Sequence, residues 1–376
     1  MSGSRPLVAF YAPMKAPDHP VPSGDRTVAR LYVQALQKAG FDVEFPTNLR
    51  VYDGVGDPDA QVLLRLAADE RAHAIMDRWR RPGARRPDLW FTYHVYHKSP
   101  DLIGPTVARW TGMPYAIAEP SHAPKRQSGP WSGFLAKSAL AIRQADRVFV
   151  TTAADAACVA PLREGRGGTV RLPPFLDAEP WPDAEKAQKG SDVTRIVTLA
   201  MMRPGDKVMS YALLAQALLL LAAAPWTLTI VGDGPARAEV EALFAGLGPR
   251  VRFTGLVEGP ENLGNLLKQH DVFAWPAVKE AYGMAPLEAQ LMGLPVVLGD
   301  EGGVREVLVP GETGLLARSR DAADFARHLA MLVEDKALAA RMGAAARRFV
   351  LGGRSLESAA ETLSKSLFPL IQQVRP

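Results

Sequence analysis

The sequence predicts an α/β protein built from two doubly wound, Rossmann-like domains. Three observations lead there. Short apolar runs alternate with longer segments of helical periodicity along nearly the whole chain, the pattern of parallel strands joined by crossover helices. The alternation breaks once, at the proline- and charge-rich stretch PPFLDAEPWPDAEKAQKGSD (173–192), and then resumes. The length, 376 residues, is enough for two cores of ordinary domain size. The expected division is 1–173, a linker at 174–192, a second domain at 193–354, and a terminal helix at 355–376.

In the first half, strands are expected at 7–12, 41–45, 88–93, 114–118, 147–150 and 169–172, and helices at 25–38, 61–79, 131–144 and 153–162. Ser23 is placed to cap the first helix, and Gly24 beside it would let backbone approach a ligand. No G-x-G-x-x-G follows the first strand, which speaks against a dinucleotide cofactor. The cluster Arg78, Arg80, Arg81, Arg85 and Arg86 suits the carboxyl end of a helix, with a binding patch as the alternative. The strand DLWFTY runs into HVYHKSPDLIGP, so His94, Tyr96, His97 and Lys98 emerge where doubly wound sheets bind ligands. Plain polar loop residues are the competing explanation. Glu119 ends the next strand, followed by Pro120, Ser121 and His122.

In the second half, strands are expected at 195–200, 227–231, 251–254, 271–275 and 295–298. Helices are expected at 207–223, 237–247, 263–269, 286–292, 322–333, 338–349 and 355–374. The stretch MMRPGDK (201–207) joins a strand to a helix and places Arg203 and Lys207 where two cations can clamp a diphosphate. As ordinary surface residues they would face the positive end of the helix dipole, a poor arrangement. Gly232, in the turn GDGP, either lines a nucleotide cleft or serves a plain turn.

The stretch 271–317 concentrates the chemistry. Glu280 falls in the loop after a strand, and Glu288, eight residues on, in the first turn of the next helix. The N–H groups of Gly283, Met284 and Ala285 are placed to hold a phosphate, and Pro286 has the φ that suits a helix start. A carboxylate one turn inside can accept both hydroxyls of a ribose, and a second, outside the helix, can reach a sugar. The plainer alternative makes Glu288 a dipole partner of its own helix and leaves Glu280 solvated.

The order Glu280, Glu288, Gly293-Leu294-Pro295-Val296-Val297, Gly302-Gly303, Glu306, Gly311 and Gly314 resembles the donor site of the retaining GT-B glycosyltransferases of family 4, the group 1 glycosyltransferases. The likeness is strongest over 195–316 and weaker before it. It implies two Rossmann-like domains facing a cleft, with a terminal helix crossing back to the first domain. It also implies a nucleotide-diphosphate-sugar donor held by the second domain, a saccharide or lipid-linked acceptor held by the first, and transfer with retention and without a metal. On that pattern Arg203 and Lys207 neutralise the leaving diphosphate, Glu288 holds the ribose and Glu280 positions the sugar. The family's arginine and lysine usually stand five apart; here Met202 occupies the arginine position and Arg203 stands one residue along. The family often carries a histidine near the end of the strand at 114–118; here Glu119, Pro120 or Ser121 holds that place, with His122 just beyond. Catalytic contacts on the acceptor side are expected from His94 and Glu119. The motif Asp57-Pro58-Asp59 matches the metal motif of the other large glycosyltransferase fold, but it precedes a helix of the first domain and is not read as a metal site.

Composition narrows the partners. Residues 1–190 hold 25 Lys and Arg against 20 Asp and Glu, and residues 191–376 hold 19 against 20. A basic surplus this small fits an anionic acceptor, a peripheral membrane contact or a merely solvated surface, and offers no footprint for nucleic acid. Cys158 is the single cysteine, expected in a core, so neither a disulfide nor a cysteine metal cage is available. The start MSGSRPLVAFYA lacks the apolar run of a signal peptide, and the longest greasy stretch, 212–225, is too short to span a bilayer. The expectation is a cytoplasmic enzyme, peripheral at most at the inner face of the membrane, needing no cofactor. It transfers a sugar in cell-surface polysaccharide or glycolipid synthesis. Two alternatives stay open: a nucleotide-sugar epimerase on the same architecture, and a non-catalytic nucleotide-sugar-binding partner subunit.

Overall fold

The computed structural model describes residues 5–21, 23–184 and 192–374. The chain divides into two compact units, Met1–Pro173 with Leu356–Pro376, and Pro174–Ser355. The first contains β1 (Leu7–Tyr11), α1 (Gly24–Lys38), β2 (Asp42–Glu44), α2 (Pro58–Arg80), β3 (Leu89–Tyr93), α3 (Gly104–Thr111), β4 (Tyr115–Ala118), α4 (Ser132–Gln144), β5 (Arg147–Val150), α5 (Ala153–Arg163) and β6 (Thr169–Arg171). Its sheet runs β2-β1-β3-β4-β5-β6 with every pairing parallel. The residues of β1, β3 and β4 are buried throughout, which is why those strands read as unbroken apolar runs rather than alternating ones.

Side-chain caps set several helix starts. Ser23 accepts from the Arg26 N–H at 3.3 Å. Asp57 accepts from the N–H groups of Asp59 and Ala60 at 2.9 and 3.3 Å, with Pro58 in the first turn, so one carboxylate of the D-x-D motif is a helix cap. Helix α3 was not expected, because Gly104-Pro105 reads as a turn. Asp101 starts it: its buried carboxylate accepts from the Ile103 and Gly104 N–H groups at 2.9 and 2.7 Å and from the Tyr115 hydroxyl at 2.8 Å. Burial raises the Asp101 pKa against the pull of these hydrogen bonds. Cys158, expected in the core, is only half-buried, and its Sγ accepts from the His122 N–H at 3.3 Å.

The second unit contains β7 (Thr194–Leu199), α6 (Asp206–Leu220), β8 (Trp226–Val231), α7 (Arg237–Phe244), β9 (Val251–Gly255), α8 (Pro260–Leu267), β10 (Val272–Trp275), α9 (Ala285–Leu291), β11 (Val296–Gly299), β12 (Gly314–Ala317), α10 (Ala322–Glu334) and α11 (Lys336–Gly353). Its sheet, also parallel, runs β12-β11-β10-β7-β8-β9. Several element ends fall a few residues from expectation, with α6 stopping at Leu220, α8 starting at Pro260 and α11 running on to Gly353. The helix expected to 247 stops at Phe244 and tightens into a 3₁₀ turn over Ala245–Arg250, where Gly248 takes a positive φ. Strand β12 went unseen because GLLA is too short to stand out from the turn before it. Residues 174–184, read from composition as linker, belong to the second unit: Phe175 and Leu176 are buried, and Leu176 pairs with Ser355. Residues 185–191 of that stretch lie outside the described residues.

One more helix, α12 (Leu356–Val374), belongs to the first unit. Leu363, Leu367 and Ile371 recur at helical spacing and are buried. Phe368 stacks on Phe41 with centroids 4.5 Å apart, and Glu357 pairs with Lys38 at 2.7 Å. Among the described residues no helix is long and apolar enough to cross a membrane. Leu367→Ala should therefore cost about 2–5 kcal/mol, the usual range for truncating a buried leucine. Denaturant unfolding should show that loss in the transition of the first unit, with the second left in place.

Candidate functional site

In each sheet the strand order reverses direction once, opening a crevice at the carboxyl ends of two neighbouring strands. In the second unit those strands are β7 and β10. The loop after β7 carries Met202, Arg203 and, at the start of α6, Lys207; the loop after β10 carries Glu280. The two loops are joined there. Lys207 Nζ pairs with the Glu280 carboxylate and lies 5.3 Å from the centre of the Trp275 ring. The indole N–H of Trp275 donates to the same carboxylate at 3.3 Å. Ser210 Oγ accepts from the Val278 N–H at 2.9 Å, and Lys279 pairs with Asp206 at 2.9 Å, so α6 grips the loop at three points.

Glycine at several positions makes this crowding possible. A Cβ on Gly302 would collide with the carbonyl oxygen of Glu280, and one on Gly299 with that of Pro276. Gly302 also has φ +63°. The loops after β10 and β11 thus lie backbone against backbone, and the Gly303 N–H donates to the Ala281 carbonyl at 2.7 Å. Gly232 serves the same end elsewhere, since a Cβ there would strike the Ala200 carbonyl and its N–H donates to Gly255 at 2.9 Å.

The remaining residues expected at a donor site fall beside this group. Glu288 sits one turn into α9, half-buried, and its carboxylate has no partner among the described residues. Burial pushes its pKa up to about 7. The backbone N–H groups of Gly283 and Met284, just before α9, and of Ala285, its first residue, make no backbone hydrogen bond among the described residues. Arg203 is exposed and makes no ion pair among the described residues, while Met202, in the place where the family pattern has arginine, is buried in the core. An ion-paired lysine, an exposed arginine, a carboxylate with no partner among the described residues and backbone N–H groups at a helix start have the parts to receive a diphosphate and a diol.

In the first unit the switch lies between β1 and β3. His94 directly follows β3, and its Nδ1 lies 3.3 Å from the Asp25 carboxylate in the first turn of α1. Glu119 directly follows β4, and the Tyr93 hydroxyl lies 3.5 Å from its carboxylate. Both residues have a positive φ, +62° for His94 and +51° for Glu119, although neither is glycine. Such strain persists only where the surroundings enforce it, and it clusters at working sites. Burial disfavours a charged His94 ring, yet Asp25 and Glu119, with Asp155 behind them, raise its pKa above the ordinary value. Gly24, by contrast, opens α1 with no neighbour that a Cβ would meet.

Three members of these groups were not anticipated. Asp25 reads from the sequence as a routine acid in the first turn of a helix. Trp275 reads as the last residue of a core strand, and Ser210 as an ordinary helical residue. Only the fold brings the first to His94, the second to Glu280 and the third to Val278.

Two measurements follow from the electrostatics. The folded pKa of Glu288 lies above its unfolded value of 4.5. Between roughly those two values the unfolded chain has lost the proton that the folded chain keeps, so this group lowers stability as pH rises through the window. Glu288→Gln should remove that slope, giving a higher Tm than the parent at about pH 8 and an equal one near pH 4. Asp25→Asn should lower the His94 pKa, read by NMR titration of the imidazole; an unchanged value would remove Asp25 as its partner.

Residues 194–335 match the family model described as Glycosyl transferases group 1. Sulfoquinovosyl transferase SQD2 of Arabidopsis thaliana is 37% identical over 123 residues, covering 32% of this chain and 24% of that protein. The 2-deoxystreptamine glucosyltransferase of Streptomyces kanamyceticus is 28% identical over 255 residues, covering 63% and 65%. The chain thus spans between about a quarter and two thirds of the length of these curated relatives. Among solved structures, sucrose-phosphate synthase from Thermosynechococcus elongatus superposes with a TM-score of 0.70 at 20% identity over 98% of this chain and 100% of that one. HepE from Anabaena, in complex with UDP-glucose, gives 0.66 at 17% over 96% and 99%. The paired six-stranded parallel sheets are those of the GT-B glycosyltransferase fold. Residues 194–335 are thus similar in sequence to the group 1 glycosyl transferases, within a chain of GT-B fold.

Proposed function

We propose that the protein is a retaining glycosyltransferase that moves a sugar from a nucleotide-diphosphate sugar to a hydroxyl of a saccharide or lipid-linked acceptor, in cell-surface polysaccharide or glycolipid synthesis. The observation that carries this reading is the meeting of Lys207, Glu280 and Trp275 at the switch point of the unit that matches the family, with Glu288 unpaired nearby. HepE, whose fold this chain shares, is described as binding UDP-glucose, which supports a nucleotide-sugar donor here as well.

In this reading the diphosphate takes the place of Glu280 at Lys207, and Arg203 swings in as the second cation. Negative charge grows on the diphosphate as its bond to the sugar breaks. A cation fixed beside it gains more in the transition state than in the ground state, and so acts on turnover. Glu280, released from Lys207, accepts from sugar hydroxyls. Glu288 accepts from the ribose, and the N–H groups of Gly283, Met284 and Ala285 bind phosphate oxygens. The acceptor side falls to His94 and Glu119, with His94 held by Asp25. The two cations carry the charge neutralisation, so neither a metal ion nor a separate cofactor is invoked.

The test is nucleotide release from a panel of UDP- and GDP-sugars, with and without envelope lipid extract and in the presence of chelator. Release that requires acceptor supports transfer; release that collapses on chelation would remove the metal-independent scheme. Lys207→Ala should lower kcat by about 10²–10³ at saturating donor. Arg203→Ala with a wild-type kcat would take Arg203 out of the clamp.

A further inference from the structure

The first unit carries a cluster of cations that the donor and acceptor chemistry above does not use. Lys98, in the loop after β3, and Arg126, in the short helical turn Pro124–Arg126 after β4, lie over one indole ring, their charged groups 4.8 and 5.4 Å from the centre of Trp131. His97 packs edge-on to that indole with centroids 5.8 Å apart. Lys125 precedes Arg126 in the same turn, and after burial the charges of Arg126, Lys98 and Lys125 hold His97 below its ordinary pKa.

Among the described residues Lys98, Lys125 and Arg126 make no ion pair, and the Lys98 ammonium donates instead to the Gly54 carbonyl at 3.0 Å. Asp53, which the fold brings beside the cluster through its N–H bond to the Lys98 carbonyl, is buried and occupied: its carboxylate accepts from Gln61 and from the N–H groups of Val55 and Gly56, and its carbonyl accepts from the Trp131 indole. Three cations kept together without an acid repel one another. The face of Trp131 attracts two of them, which holds the cluster in place rather than letting it disperse into solvent. A guanidinium fork with two ammonium groups around an apolar plate is a donor set matched to a phosphate, whose charge and several oxygens exceed what one carboxylate presents. The rings continue toward His94, with His97 to Tyr96 at 5.5 Å and Tyr96 to His94 at 5.0 Å, so a molecule anchored at the cluster lies along the same edge as the strained histidine.

We propose that Lys98, Lys125 and Arg126, arranged around Trp131 and His97, form a binding site for a phosphate ester. The ester comes either from a phosphorylated saccharide in solution or from the headgroup of an anionic phospholipid. The site does not depend on the donor reading, and its test contains no donor.

The full chain is titrated at low salt with glycerol 3-phosphate, and separately with vesicles of phosphatidylcholine with and without phosphatidylglycerol, while the His97 imidazole is followed by NMR. Binding of a phosphate beside three cations should raise the His97 pKa, and at least one probe should do so. Lys125→Gln and Arg126→Gln, both at exposed positions, and Lys98→Gln should each weaken binding roughly five-fold or more, and added salt should weaken it further. A response to anionic vesicles alone assigns the phosphate to a lipid headgroup. A response to glycerol 3-phosphate assigns it to a soluble ester. If neither probe shifts His97, or if a probe binds the triple variant as well as the parent, the proposal is overturned. Loss of donor turnover in Lys207→Ala would leave this result unaffected, and failure here would leave the donor site unaffected.

Discussion

Everything functional in this chain depends on parallel pairing. Strands that all point one way deliver every following loop to the same edge of the sheet, and the reversal of strand order leaves a gap there that no crossover helix fills. Each unit spans its gap with an opposite-charge contact rather than with apolar packing: His94 with Asp25 in one, Lys207 with Glu280 in the other. An apolar contact would close the crevice for good. A charged pair can exchange its partner for a ligand of the same sign, because the ligand repays the desolvation that separating the pair leaves uncompensated.

The loops at these gaps are held under strain. His94 and Glu119 follow neighbouring strands with positive φ, and Ala277 and Lys279 do the same in the loop after β10. Glu119, Ala277 and Lys279 are not among the residues that adopt that region readily, whereas histidine is. The strain is sustained by what surrounds it: hydrogen bonds from the His94 N–H to the Ala118 carbonyl and from the Val278 N–H to Ser210 Oγ, and the close backbone contact allowed by Gly299 and Gly302. The result is preorganisation, in which side chains are aimed before a ligand arrives.

Much of this was legible in the sequence. The strands of both sheets apart from β12, the capping serine at 23 and the composition break after Pro173 all follow from periodicity and turn chemistry. The placement of Arg203, Lys207, Glu280 and Glu288 at strand-to-helix loops follows from the same signals. What stayed hidden depends on contacts between segments distant in sequence. Asp25 and His94 are far apart along the chain and meet only because β1 and β3 are neighbours. The elevated pKa of Glu288 depends on burial, which a first-turn glutamate does not announce. The cations around Trp131 come from two separate loops, and their spacing along the chain gives no sign that they share one ring.

Helix α12 has a further consequence. The chain leaves the first unit at Pro173 and re-enters it at Leu356, so that unit is interrupted by the whole of the second. Its closing contacts are among the most distant in the protein, as in the bond from Arg147 Nε to the Ser366 carbonyl, 219 residues away. During synthesis the second unit has all its residues before the first does. The first must wait with an apolar strip exposed beside Phe41 until the final helix arrives, paying a loop-closure entropy that grows only logarithmically with the intervening length.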